Sequence, residues 1–134
     1  MFVTADQFLA HAIGDYILQS HWMATEKTKS SVAAAIHAIC YTLPFLPITQ
    51  SPSALAAICG THFLVDRFRL ARFVVWLKNG PWTMVRTDQG WLRLKPVTAT
   101  GYQDDVPAWL SVWLLIAADN LCHILINGLS IKYL

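Results

Sequence analysis

Histidine and aspartate recur in this chain at one spacing. His11 precedes Asp15, His62 precedes Asp66 and Asp119 precedes His123, each by four positions. On a helix that spacing puts both side chains on one face, one turn apart. All three pairs interrupt apolar stretches, where an ionisable group is costly unless it is paired, hydrogen-bonded or bound to a metal. Five histidines and seven aspartates scattered over 134 positions would give roughly 0.5 such pairs by a template count, so three ask for a cause. Imidazole nitrogen and carboxylate oxygen are ordinary ligands of zinc, and mixed sets also suit manganese or iron. Helix bundles build metal centres from such side chains, projecting inward from facing helices.

Three helices with two ligands each supply six, and His37, in Ala33-Ala-Ala-Ile-His37-Ala-Ile-Cys40, makes a seventh. Six or seven ligands exceed what one tetrahedral ion takes, so the expectation is one or two divalent ions. Two ions a few ångströms apart activate a water and neutralise an oxyanion in phosphoester hydrolysis. Asp66 and Asp15 are then the candidate catalytic carboxylates, either of them able to bridge, and Arg67 a candidate phosphate-binding residue. The plainer reading of any single pair is a cross-helix hydrogen bond, because polar pairs also hold membrane helices together. His37 taken alone reads as a hydrogen-bonded interior histidine, and His21, beside Trp22, as an interfacial residue.

The composition decides what kind of helices carry these residues. Apolar residues make up 55% of the chain and charged ones 13%, and mean hydropathy is +0.43. A typical soluble domain is about 25% charged, and a small one needs that charge to cover its large relative surface. Six tryptophans suit a protein that meets membrane interfaces. A net charge of +2 and the absence of an aromatic-basic pattern argue against a nucleic-acid partner. Cys40, Cys59 and Cys122 lie far apart in apolar runs, without zinc-finger spacing, and read as buried thiols. The N-terminus has no basic leader and carries Asp6, so it does not read as a cleavable signal peptide.

The expected fold is all-α: a single domain over residues 1–134, a four-helix membrane-embedded bundle with a long loop between helices three and four. Thr4 caps a first helix with an apolar face through Ile17, short for a full crossing of about 20 residues. Gln19 to Ser30 is polar and reads as a loop or a surface turn of helix. Ser30 or Ser31 opens a second helix through Tyr41, with Pro44 kinking or ending it. Thr49-Gln-Ser-Pro-Ser53 starts a third, from about Ser53 to Lys78, apolar first and then basic and amphipathic, as where a helix leaves a bilayer toward anionic headgroups. Asn79-Gly80-Pro81 ends it. Residues up to Asp105 read as irregular, with Trp91-Leu92-Arg93-Leu94 a candidate for a small hairpin. A loop of that length is usually functional or mobile. The fourth helix, Ala108 to about Ile131, is the clearest spanning candidate.

Charge placement then orients the chain. The loops after helices one and three carry the lysines and arginines, while the loop between helices two and three carries none. If all four helices cross, the basic loops share one side. The positive-inside rule makes that side cytoplasmic, in the inner (cytoplasmic) membrane, with both termini opposite. Lys132 is a minor exception.

The segment His11-Ala-Ile-Gly-Asp15-Tyr-Ile-Leu-Gln19-Ser-His-Trp-Met-Ala24, with a lysine soon after, resembles a family of small uncharacterised multi-helix membrane proteins. They occur in bacteria and their phages and share a His-x-x-x-Asp-aromatic-x-Leu-Gln signature. Gly60-Thr-His62-Phe-Leu-Val-Asp66 is similar to that family's second His-x-x-x-Asp, so the resemblance runs over residues 1–78. The same residue grammar is similar, more distantly, to membrane-bound metal-dependent hydrolases related to zinc-dependent phospholipase C and P1-type nucleases. That resemblance implies His11, Asp15, His62 and Asp66 as metal ligands.

The first expectation for function is therefore an integral membrane, metal-dependent hydrolase of a lipid or lipid-linked phosphoester. The alternative is a non-enzymatic envelope protein of a bacterium or phage, one that binds partners and uses the His/Asp pairs structurally. A transporter or proton relay is a third class, since intramembrane ionisable groups mark such paths, but no inverted repeats are visible.

Overall fold

The computed structural model describes residues 2–79, 85–86, 92–93, 97–103 and 105–134. The chain is helical, in six α-helices among these residues: α1 (Ala5–Ala12), α2 (His21–Glu26), α3 (Ser31–Thr42), α4 (Pro52–Phe68), α5 (Ala71–Lys78) and α6 (Ala108–Tyr133). A π-helical turn, Ile13–Ile17, extends α1, and a short 3-10 turn, Leu43–Phe45, extends α3. Val85–Arg86 (β1) and Leu92–Arg93 (β2) pair antiparallel, Val85 opposite Arg93, where the sequence suggested a hairpin.

The helix starts follow local chemistry. Thr4 and Gln7 form a reciprocal capping box on α1, satisfying donors the first turn leaves free. Ser30 caps α3 and Ser51 caps α4, the latter with Pro52 in its first turn, where a missing N–H costs nothing.

The polar segment after the first helix is a short surface helix, α2, capped by Ser20, one of the two forms expected for it. One expectation about elements is corrected. The expected third helix from Ser53 to Lys78 is two helices. Arg69 adopts φ 52, ψ 47, and its N–H closes back on Asp66 and Val65 carbonyls. A left-handed residue there ends a helix, and because it is arginine rather than glycine the sequence carries no punctuation to announce it. The four-helix count thus becomes six.

The chain divides into two compact units, residues 2–69 with 121–134, and residues 70–120. In the first, Tyr41, Phe45, Ile58 and Ala10 form an apolar cluster with Ile48, Leu55 and Ile131 against it. Within the same unit His11, His37, His62, His123 and Asn127 are also almost wholly buried, while Phe8, Ile17, Val32 and Ile39 are exposed. In the second, Gly101, at φ 78, packs its backbone on Arg72 and Trp76 of α5, an approach that a side chain would block. Of the basic and acidic residues expected in the long loop, Asp88, Lys95 and Asp104 lie outside the described residues. α6, 26 residues long, is the one described helix long and apolar enough to cross a membrane by length and composition.

Candidate metal centre

Each polar side chain in the first unit is delivered by helix periodicity. Asp15 leaves the π-helical turn, whose widened ring is closed by Leu18 N–H donating to the Ile13 carbonyl at 2.9 Å. Such turns interrupt an α-helix at a cost and cluster at functional sites. Gly14 brings that turn against α3: a Cβ there would stand 2.9 Å from the Tyr41 carbonyl and 2.7 Å from its ring. His37 lies on the buried face of α3 with Ala33, Ala34, Ala38 and Tyr41. The alanines on either side of His37 leave room for its ring. His62 and Asp66 lie one turn apart on the buried face of α4.

Four ligand atoms from these elements converge. His37 Nε2 lies 2.9 Å from His62 Nε2, 3.2 Å from Asp15 Oδ1 and 3.2 Å from Asp66 Oδ2. His62 Nε2 lies 3.3 Å from Asp66 Oδ2 and 3.6 Å from Asp15 Oδ1. Asp15, His37, His62 and Asp66 are all buried, and their ligand atoms all lie within 4.8 Å of one another. A tetrahedral ion with ligands at about 2.0–2.1 Å needs ligand-to-ligand edges of about 3.3 Å. Five edges of 2.9–3.6 Å bracket that value. The residues therefore fit one tetrahedral divalent ion.

Hydrogen bonding and charge point the same way. Asp66 Oδ2 is buried among nitrogens, with Lys27 Nζ, His37 Nε2 and His62 Nε2 all within 3.3 Å of it. The two carboxylates meet one ammonium: Lys27 Nζ lies 2.7 Å from Asp66 Oδ2 and 4.0 Å from Asp15 Oδ1, and 3.3 Å from His37 Nε2. Two negative charges against that one positive leave one charge to balance, which a bound cation, or a proton on His37 between the two carboxylates, would supply in an interior where unbalanced charge is expensive. Lys27 is the residue that sequence reasoning missed. It was read as one of several loop charges, and the available signal was only that a lysine follows the first motif.

A second layer surrounds the four. His123 places Nδ1 3.2 Å from His62 Nδ1 and Nε2 3.3 Å from Asp66 Oδ1. The Tyr41 ring stacks on His62 with centroids 3.5 Å apart and planes 10° apart. Tyr41 Oη accepts a hydrogen bond from Asn127 Nδ2 at 2.6 Å and lies 2.8 Å from His11 Nδ1. Tyr41 and Asn127 are further positions that no pairing rule picked out, although Asn127 repeats the helical spacing of His123.

The structure sorts the sequence-derived residues accordingly. Asp15, His37, His62 and Asp66 converge. His11 lies beside them, its Nδ1 3.8 Å from Asp15 Oδ2 and closer to Tyr41. Asp119 precedes His123 by one turn of α6, half-buried, and belongs to the second unit. His21 is exposed at the start of α2. Arg67, expected to bind phosphate, donates from Nη1 to the Thr28 carbonyl at 2.7 Å and from Nε to Ser31 Oγ at 3.2 Å. It clamps the turn that presents Lys27. Cys40, Cys59 and Cys122 form no disulfide among the described residues and are partly buried.

The chain belongs to the family described as protein of unknown function (DUF3307), which matches residues 3–89. The match spans His11, Asp15, Lys27, His37, His62 and Asp66, and ends before His123. No curated protein and no solved structure matches the chain.

Proposed function

We propose that this chain is a membrane-integral hydrolase in which one divalent ion, zinc or else manganese or iron, is held by Asp15, His37, His62 and Asp66. Its substrate would be a phosphoester, a lipid or a lipid-linked intermediate. The observation that carries this reading is the convergence of two imidazole nitrogens and two carboxylate oxygens at tetrahedral edge lengths. An ion held there would lower the pKa of a water beside it toward neutrality. Asp15 has the more accessible of the two carboxylates, at 9% side-chain exposure against 3% for Asp66, and its Oδ2, the oxygen not turned to the other ligands, would accept the water's proton. The water oxygen would bond to phosphorus as the ester P–O bond breaks, and Asp15 would return the proton to the leaving alcohol. Lys27, 18% exposed, stands at the same edge and would neutralise the phosphoryl oxygens, the role first given to Arg67.

Membrane residence is supported by an inverted distribution of polarity. His11, Asp15, His37, His62, Asp66 and His123 are buried in the first unit while many large apolar side chains are exposed on it, and ionisable groups in membrane helices face the interior in this way. With α6 as a crossing, we place the chain in the inner (cytoplasmic) membrane with its basic segments on the cytoplasmic side. Lipid is then both surroundings and candidate substrate.

One observation favours the alternative, a non-enzymatic envelope protein with a structural ion: four protein atoms already close a tetrahedron, whereas catalytic zinc keeps a position open. Chelation separates the two. A hydrolase stripped of metal in detergent keeps its helicity, loses turnover of a phosphodiester in mixed micelles, and regains it on adding zinc or manganese. Unfolding on chelation, with no turnover before it, would establish the structural role instead.

A further inference from the structure

The metal reading assigns the protons of the second layer, and the assignment is unique. If His62 gives its Nε2 lone pair to the ion, its remaining ring proton sits on Nδ1, which faces His123 Nδ1 at 3.2 Å. That nitrogen must accept, so the proton of neutral His123 sits on Nε2, which faces Asp66 Oδ1 at 3.3 Å. Oδ1 accepts, leaving Oδ2, the oxygen that faces His37 Nε2 and His62 Nε2 and is paired with Lys27, to the ion. A closed ring results: ion, His62, His123, Asp66, ion. Every donor in it meets an acceptor, and both nitrogens of His123 are used.

We infer that His123 is a positioning residue rather than a ligand, and that it fixes the tautomer of His62 and the orientation of Asp66 around a single ion. This inference rests on the proposed metal centre. It gives His123 a different role from the sequence expectation, which counted Asp119 and His123 among the ligands of one or two ions. α6 braces His62 twice. His123 bonds its edge, while Asn127, one turn further on, bonds the Tyr41 hydroxyl whose ring covers its face. His37 has no such support, since its Nδ1 is buried without a partner. A hydrogen bond from the far nitrogen raises the basicity of the ligating one and holds the ring in place, and losing such a partner typically weakens metal binding about 10–100-fold.

The test uses cobalt(II) as a spectroscopic probe on full-length protein in detergent. The wild type should bind one ion per chain, with two imidazoles by X-ray absorption. His123→Leu should weaken binding about 10–100-fold yet give the wild-type visible spectrum at saturation. His123→Gln, whose amide offers both a donor and an acceptor, should recover part of the affinity and remain available if the leucine variant fails to fold. Three imidazoles in the wild type, a second ion, a changed saturated spectrum in either variant, or unchanged affinity in the leucine variant would overturn the inference while leaving the metal centre standing. A wild type that binds no cobalt or zinc would instead remove the metal centre, and this inference with it.

Discussion

At the scale of single residues, the centre is a balance of charge. Asp15 and Asp66 carry two negative charges into a buried site, and Lys27 returns one positive charge at 2.7 Å from Asp66. Replacing Lys27 by methionine keeps the stem and removes the charge. Zinc affinity, read by competition with a chromophoric chelator, should hold or rise, because the ion no longer meets a cation. Turnover of the phosphodiester should fall by about 10²-fold or more, the cost of removing one preorganised group from a developing oxyanion. A K27M protein with weaker zinc affinity and normal turnover would contradict both parts. Protons compete with the ion for the same imidazole and carboxylate lone pairs. Bound zinc, measured after dialysis at stepped pH, should therefore fall as pH falls and return as it rises. Spacing made His62 and Asp66 legible from sequence, because both ligands sit on one helical turn. His37 and Lys27 were harder to see, because each reaches the site alone and only the packing of α2 and α3 brings them in.

Elements position these residues through two irregularities. The π-helical turn at Ile13–Ile17 delivers Asp15, and Gly14 lets that turn approach Tyr41. A methyl group at position 14 has no room against a backbone carbonyl, so Gly14→Ala should destabilise the protein by about 1–3 kcal/mol. Thermal unfolding in detergent checks this, and zinc affinity should fall with it because Asp15 is carried on the displaced turn. An alanine variant as stable as wild type would show that the turn can shift freely. The second irregularity is Arg69, whose left-handed backbone ends α4 three residues after Asp66. Apolar periodicity continues through that point, and no glycine or proline marks it, so the sequence read one helix where there are two. The capped starts at Thr4, Ser30 and Ser51 were legible because their chemistry is local.

At the scale of the molecule, the sequence showed an apolar, charge-poor chain with ionisable residues placed periodically, and the first unit keeps those residues inside. Its division from residues 70–120 was not legible, since no change of composition accompanies it. An ion that binds the folded chain and not the unfolded one stabilises it, by about 2.7 kcal/mol at a hundredfold excess over the dissociation constant. Thermal unfolding should therefore shift upward with zinc and downward with chelator, and Asp66→Asn should abolish the shift.

The most direct measurement is the metal content of purified, detergent-solubilised protein after zinc loading and removal of free ion. One zinc per chain is expected for the wild type, and well under one for His37→Ala, His62→Ala and Asp66→Asn proteins that keep wild-type helicity. A wild-type chain that retains no zinc, manganese or iron, and whose unfolding is indifferent to all three, would show that Asp15, His37, His62 and Asp66 meet only as hydrogen-bonding partners.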